Sequence, residues 1–497
     1  MNVKFLKQYK SRDEARGEGM TNKFPSWITE QMVRNIRGFN LDAYLVALEG
    51  WRRGLELTWH LNPEIHTDLK IIGFNPLGKS FSLQSETKTH YFYRSRGDKV
   101  ANEAVEIASN KQKTREYLER AGINVPKGKS FHKDTPLDQI VSYGLSLGFP
   151  LVVKPTFGSL GKGVTTNITS EKQLKDSILN VYEIGYEDII VEQYITGDDY
   201  RLYVIGEKVV GMTKRLPAHV VGDGERTIEE LIELKNIERE NNPYLRTKLI
   251  KVNEHSIQVL KKNNFTLKDI PEQNEQVRLS DAANISTGGD PVQAMDSLNS
   301  DTIKIATRTI EAVPGLKHAG IDILINDKTC TVIEINPTAG ISMHMFPSKG
   351  NPVNIPEAII DNYFPETIGF GKDRTKVYFN YREIRRLLRR GQVQDYQVSE
   401  APNGPLYAKR YVISGKVQKV GYRRWIQNQA RKHNLSGYTR NLKNGKVVVV
   451  VGSDNPKKVD AFKDVCLEGP RRAKVKQIKE YDWDSIICNG FYIRKTK

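Results

Sequence analysis

The chain has 497 residues, of which 38% are hydrophobic and 27% charged. That composition suits a soluble protein of about three domains and excludes both a wholly disordered chain and a disulfide-stapled miniprotein. Its 76 Lys and Arg against 59 Asp and Glu give a net charge of +17, which favours anionic partners.

No apolar run approaches the roughly 20 residues of a bilayer span, the longest conspicuous one being 447–451. The basic start, Met1-Asn2-Val3-Lys4-Phe5-Leu6-Lys7, lacks the apolar stretch of a signal peptide. Three scattered cysteines, Cys330, Cys466 and Cys488, offer neither a disulfide framework nor a zinc site, and are expected to be inert core residues. A cytoplasmic protein without a membrane partner is expected. Between 371 and 440, 17 basic residues stand against four acidic ones. Without a recognition module, this reads as a solvated linker plus a phosphate-binding domain rather than a nucleic-acid surface.

Residues 1–105 read as a separate mixed α/β domain. Leu41, Tyr44, Leu45 and Leu48 predict one buried helical face, and β-like runs follow at 55–59, 70–74 and 90–93. Gly73-Phe-Asn-Pro-Leu-Gly78-Lys79-Ser80 satisfies the P-loop pattern. However, Pro76 removes a loop N–H, and 80–85 alternates like a strand where a P-loop needs a helix. A decoy turn is expected.

The pattern changes near residue 106. A helix is predicted over Lys111–Arg120, then a strand at 149–155 ending in Lys154-Pro155. Thr156-Phe-Gly158-Ser159-Leu-Gly161-Lys162-Gly163 follows, and then a strand at 164–168. A strand–glycine loop–strand unit lets backbone N–H groups fold over a polyphosphate, and equally serves as a plain flexible hairpin. A strand at 188–195 contains Glu192; 196–199 is expected as a turn, and strands follow at 200–205 and 208–215.

The densest constellation is Ala319-Gly-Ile-Asp322-Ile-Leu-Ile-Asn-Asp-Lys-Thr-Cys-Thr-Val-Ile-Glu334-Ile-Asn336-Pro337. Two apolar strands flank a turn at 326–328, which predicts a hairpin with Asp322 opposite about Val332. Glu334 and Asn336 then lie further along the same face. Oxygen ligands of this kind fit Mg²⁺; the alternative is three polar residues on a solvent face.

These pieces, in this order, resemble the ATP-grasp ligases, particularly the ATP-grasp regions of cyanophycin synthetase and bifunctional glutathione synthetase. The resemblance covers 106–368. It rests further on Arg215-Leu-Pro-Ala-His219-Val-Val-Gly222-Asp223-Gly224, Asn284-Ile-Ser286-Thr287-Gly288-Gly289-Asp290 and Met343-His344-Met345-Phe-Pro347-Ser348. It implies ATP and Mg²⁺ as cofactors, with Lys111 and Lys154 on the phosphates and Gly158, Ser159, Gly161, Lys162 and Gly163 closing over them. Glu192, Gln193, Tyr194 and Ile195 would form the adenine hinge, and Asp199 would bind ribose. Asp322, Glu334 and Asn336 would hold the metal. Arg215 and Arg278 would face the reacting groups, while His219, Ser286, Thr287, Gly288 and Gly289 would line the amino-acid side. Gly320 stands where many of these ligases carry an arginine, and Arg215 or Arg278 is expected to supply that charge.

After a basic linker at 369–404, Tyr411-Val-Ile-Ser-Gly415-Lys416-Val417-Gln418-Lys419-Val420-Gly421-Tyr422-Arg423 resembles the acylphosphatase signature, and Asn441 follows in the family's order. The implied domain at 405–497 is a ferredoxin-like βαββαβ sandwich. Arg423 would hold a phosphoryl group and Asn441 would orient water. Lys419 replaces a usual glycine.

The fold class expected is thus a multidomain α+β and α/β chain. The implied activity is ATP-dependent carboxylate–amine ligation of amino acids or short peptides through an acyl phosphate. Alternatives are acyl-phosphate formation and hydrolysis without an amide product, or a basic nucleotide- or nucleic-acid-binding regulator. A homo-oligomer is left open.

Overall fold

The structure, a computed structural model, describes residues 24–72, 75–158, 162–327 and 329–496. The described residues form two compact units: 98–358 with 24–25, and 26–97 together with 359–496. Among the described residues no helix is long and apolar enough to cross a membrane.

In the first unit, a four-stranded antiparallel sheet runs in the order Gly128–His132, Asp188–Gln193, Leu151–Pro155, Thr165–Ile168. Helices Leu137–Leu147 and Glu171–Glu183 cover it; Ile140, Leu174 and Ile178 meet Leu151, Val153 and Val191 in a buried cluster. A second sheet, of five strands, runs Asp290–Gln293, Lys208–Leu216, Asp198–Ile205, His318–Ile325, Cys330–Asn336. Its central strands alternate strictly. Leu202, Val204, Ile321, Ile323 and Ile335 face helix Ser300–Glu311 and the rest of a large core. The intervening polar residues are thereby forced onto the opposite face. Asp198 and Asp199, expected in a turn, belong to the strand, because both pair with the neighbouring strand at Ile325 and Leu324.

The hairpin of 318–336 has a register different from the expected one. Asp322 lies opposite Glu334, and Ile323 opposite Val332, so Ile333 is the extra residue of a bulge. The bulge restores the inward direction of both Ile335 and Val332 while keeping the two carboxylates on the outer face.

In the second unit, Glu56–His60, Ser80–Gln84, Thr89–Tyr93 and Arg96–Gly97 form a meander. The strand predicted over 70–74 is absent at 70–72, and Gly73 and Phe74 lie outside the described residues. The P-loop look-alike leads from a turn through Gly78, at φ +70°, into strand Ser80–Gln84, with no helix at which to hold phosphate. Helix Phe39–Arg52 is buried on nearly every side rather than on one face, since Leu41 through Leu48 are all covered.

Residues 369–404, expected as a linker, carry helix Tyr381–Arg389 and strand Asp395–Gln397, which extends the meander by pairing with Glu56–His60. Phe379 and Tyr381 pack among Tyr44, Trp51 and Trp59. The buried Arg52 guanidinium donates to the carbonyls of Trp27 (2.8 Å), Val377 (2.9 Å) and Thr375 (2.7 Å).

The C-terminal sheet runs Lys474–Asp482, Tyr407–Lys416, Val447–Ser453, Ser436–Asn441, Phe491–Ile493. Helices Tyr422–Lys432 and Pro456–Glu468 complete the βαββαβ order. Val447, Val449 and Val451 meet the helices, while Val448 and Val450 meet Tyr438 and Ile487 on the other face. That double cover explains the unbroken valine run. Cys466 and Cys488 are buried free thiols, and burial pushes the Cys488 thiol up to about 12; Cys330 is half-buried, at about 11 for the same reason.

Replacing Arg52 by Met leaves three carbonyls without their donor. The expected loss is about 3 kcal/mol of unfolding free energy. It is read as a lower urea midpoint, and an unchanged midpoint would contradict the anchoring role.

Candidate active site

The polar face of the five-stranded sheet is a row of charges in register. Arg215 lies opposite Asp199, Arg201 opposite Asp322, and Asp322 opposite Glu334. Asp322, only 5% exposed, accepts from Arg201 through Nε and through Nη2 (2.9 Å), and from Arg215 Nη1 (3.3 Å). Arg215 also donates from Nε to Asp199 Oδ1 at 2.7 Å. Burial alone would raise the Asp322 carboxyl, but Arg201 and Arg215 together hold it below the usual range. Burial outweighs Arg215 at Asp199, whose carboxyl is raised to about 6, with the nearby Asp322 charge adding to the rise.

Arg201 was not singled out by sequence reasoning. The available signal was its place two residues after Asp199 on a strand, hence on the same face. Its side chain runs over Gly320, where a Cβ would stand 3.2 Å from Arg201 Cδ and 2.5 Å from Ala339 Cβ. Gly320 thus leaves room for an arginine from the neighbouring strand, with Arg215 beside it on Asp322. Arg278 is exposed on a separate two-stranded sheet.

His344 lies against the same face. Its Nδ1 is 2.7 Å from Thr213 Oγ1, and its Nε2 is buried without a hydrogen-bond partner among the described residues. Burial, reinforced by the Arg201 charge, depresses its pKa to about 3.

Lys111, Lys154, Glu192 and Glu334 line one solvent-open cleft. Asn110 caps the helix that begins at Lys111, accepting from the backbone of Gln112 and Lys113. Lys111 Nζ donates to the Gly158 carbonyl at 3.1 Å and stands 3.9 Å from Glu334 Oε1. Burial lowers the Lys111 ammonium pKa, against the pull of Glu334. Lys154 Nζ pairs with Glu192 Oε1 at 2.5 Å, both side chains being under a tenth exposed. Gly158 and Gly163 hold φ of +154° and +71°, and a Cβ on Gly163 would meet Ile184 at 2.9 Å. Lys162 is exposed; Ser159 and Gly161 lie outside the described residues. Gln193, Tyr194 and Ile195 are half-buried where the strand ends, the first two anchored by N–H donation to the carbonyls of Lys127 and Pro150.

Glu334 and Asn336 are half-buried on the sheet's polar face, and Asn336 Nδ2 is buried without a partner among the described residues. Asp322 uses three of roughly four lone-pair sites of an ionised carboxylate. The all-oxygen set of Asp322, Glu334 and Asn336 thus has capacity for a hard cation.

His219 and the 286–289 segment come together around Asp290. The His219 ring donates from Nδ1 to the Pro217 carbonyl at 2.8 Å and lies 3.7 Å from Asp290. Asp290, buried, pairs with Lys235 and, at 2.5 Å, with Arg239, which also donates to the Gly289 carbonyl at 3.1 Å. Ser286 and Thr287 are exposed on a 3₁₀ turn capped by Asn284, and Gly288 holds φ +108°. Lys235 and Arg239 carry no motif and were not found from sequence. Their spacing of four on one helix is the only signal.

In the second unit, Lys419 adopts φ +61°, the left-handed angle that a glycine would favour. The loop keeps that backbone angle despite its side chain. Gln418 Nε2 ties the loop to the carbonyls of Leu442 and Lys446, both at 2.8 Å, next to Asn441. Arg423 sits in the first turn of helix Tyr422–Lys432, where the helix dipole favours anions. Asn441 Oδ1 is buried without a partner among the described residues.

Family models agree with this division. A RimK-like ATP-grasp domain model matches residues 108–223, an ATP-grasp domain model residues 220–340, and an acylphosphatase model residues 409–493. The chain therefore joins an ATP-grasp region to an acylphosphatase-type domain. It is 34% identical over 278 residues to the cyanophycin synthetase of Trichormus variabilis, covering 54% of this chain and 30% of that one. It is 29% identical over 367 residues to the glutathione biosynthesis bifunctional protein GshAB of Clostridium perfringens, covering 68% and 46%. Among solved structures, a bifunctional glutathione synthetase from Pasteurella multocida aligns with a TM-score of 0.46 at 26% identity, over 60% of this chain and 42% of that one. The chain spans a third to a half of the length of these curated relatives.

A buried neutral His344 must take up a proton on unfolding below pH 6.5, so its stabilising effect is present above that pH and lost as pH falls toward 3. The advantage of wild type over His344→Gln is expected to shrink by about 2 kcal/mol between pH 7 and pH 5. Denaturant titrations at the two pH values check this. For the loop that carries Lys419, Lys419→Gly is expected to stay within about 0.5 kcal/mol of wild type, relief of the positive φ offsetting glycine's entropy. Lys419→Val should cost at least about 1 kcal/mol, since a β-branched residue resists that angle. Thermal unfolding of both variants decides it.

Proposed function

We propose that the first unit is an ATP-dependent carboxylate–amine ligase acting on amino acids or a short peptide, with Mg²⁺. The observation that carries this reading is the convergence of Lys111, Lys154 and Glu334 on one cleft, with Asp322 and Asn336 on the same sheet face as Glu334. Lys111 and Lys154 would bind ATP phosphates, and the loop at 158–163 would exclude water from an acyl phosphate that hydrolyses readily. Asp322, Glu334 and Asn336 would hold Mg²⁺, which when bound neutralises phosphate charge. Arg215 and Arg201 would set the charge of Asp322 and stabilise the transferring phosphoryl group. The likeness to cyanophycin synthetases and GshAB supports amide formation through such an intermediate. The surface formed by His219 and Ser286–Gly289 is the proposed place for the amino acid, with Arg278 beside His219 on the adjoining strand.

The acylphosphatase-type domain is proposed to hydrolyse acyl phosphates. Arg423 and the loop at 415–421 would grip the phosphoryl group, and the unpaired Asn441 amide oxygen would orient the attacking water.

Purified protein with Mg-ATP and paired amino acids is assayed for ADP and, by mass spectrometry, for an amide product. Wild type is expected to give both. Glu334→Gln should lower amide formation by at least about 100-fold while remaining folded, and Arg423→Ala should lose benzoyl phosphate hydrolysis but keep ligation. ADP without an amide would favour an acyl-phosphate cycle; no ADP with any pair would count against the ligase.

A further inference from the structure

We propose that His60, His66 and Asp395, in the second unit and outside both sites above, form a binding site for a divalent transition-metal ion of the zinc class. The His60 Nδ1, His66 Nε2 and Asp395 carboxylate atoms all lie within 4.8 Å of one another. His60 Nδ1 is 2.7 Å from Asp395 Oδ1, and His66 Nε2 is 3.0 Å from each Asp395 oxygen. Two imidazoles and one carboxylate are a donor set that Zn²⁺ and its neighbours accept, with further coordination positions left open to water or a ligand.

The surroundings are built as metal sites are built. The second ring nitrogen of His60, Nε2, is 2.9 Å from Ser82 Oγ, which fixes the ring orientation. Such outer partners are characteristic of metal-ligating histidines. The Tyr91 ring stacks on His66 at 10° between planes and lies 5.9 Å from His60, holding both imidazoles in place. A 3₁₀ turn, Pro63–Ile65, carries His66 back over the strand that ends at His60. Access is from one side: His60 is buried, whereas His66 and Asp395 are 29% and 39% exposed. In binding, the protons that the imidazoles direct toward Asp395 move to their other nitrogens, on His60 toward Ser82 and on His66 toward solvent. Both histidines then offer a lone pair, and no residue need be lost from the network.

The position also gives the ion a role. His60 and Asp395 are register partners between strands 335 residues apart, and Asp395–Gln397 is a three-residue edge strand. An ion there would clip that edge strand onto the meander and close a very long loop.

The test uses the untagged full chain, stripped of metal by a chelator and titrated with Zn²⁺ in a calorimeter. Excess Mg²⁺ is kept in the buffer to occupy oxygen-only sites. Wild type is expected to bind one Zn²⁺ with Kd on the order of a micromolar or tighter, and to unfold at a higher temperature with Zn²⁺ than without. His66→Ala and Asp395→Asn should weaken binding at least about tenfold and abolish the thermal shift, while Glu334→Gln binds as wild type does. His66 lies at the surface, so His66→Ala is the variant whose fold is safest, and its metal-free melting temperature establishes that. Absence of Zn²⁺ binding by wild type, or equal affinity and equal thermal shift in His66→Ala, would overturn the proposal.

Discussion

The placement of Asp322 governs the architecture of the first unit. Its carboxylate is taken out of water in the middle of a five-stranded sheet, and an isolated buried charge would cost several kcal/mol. Arg201 and Arg215 offset that cost from two adjacent strands, with Asp199 in turn engaging Arg215. All four groups meet only if three strands keep one register. The other face enforces that register, because a one-residue slip would turn Leu202, Ile321 and Ile335 out of the core. Core packing and site electrostatics are therefore two faces of one constraint.

The same constraint shapes the cleft. The bulge at Ile333 brings Glu334 directly across from Asp322 and leaves Asn336 two residues further along the same face. Gly320 is small enough for the Arg201 side chain to cross it. The result is a cationic and anionic surface arranged before any ligand arrives, which is the condition under which electrostatics lowers a barrier most. The C-terminal domain reaches a related end by different means: one loop, one helix N-terminus and a left-handed Lys419. Its proposed substrate class, an acyl phosphate, is the species the proposed ligase would form, which gives a chemical reason for both to occur on one chain.

The second unit is held together by segments far apart in sequence. Arg52 reaches the carbonyls of 375 and 377, the aromatic rings of Trp51 and Trp59 pack on Phe379, and strand Asp395–Gln397 completes the meander. A stretch whose composition is that of a tether becomes structural because apolar residues spaced along it, among them Val377, Phe379, Tyr381, Ile384, Leu388 and Val398, are buried. Arg382, Arg386, Arg389 and Arg390 around them remain exposed, so the excess of arginine is no obstacle to order.

The sequence by itself determined the elements with strong local signals. Helix Lys111–Arg120, the strand leading to Lys154 and the hairpin carrying Asp322 and Glu334 follow from periodicity, turn residues and motif spacing, all of which act over short distances. Family resemblance added the βαββαβ order of the C-terminal domain and its pairing with an ATP-grasp region. Only the tertiary structure decided the bulge at Ile333, the partnership of Arg201 with Asp322, the gathering of Lys235 and Arg239 on Asp290, and the capture of Asp395 by His60. Apart from the bulge, which is local to one hairpin, these partnerships join residues 51 to 335 apart in the sequence. No local pattern encodes such neighbours; burial of the common core selects them.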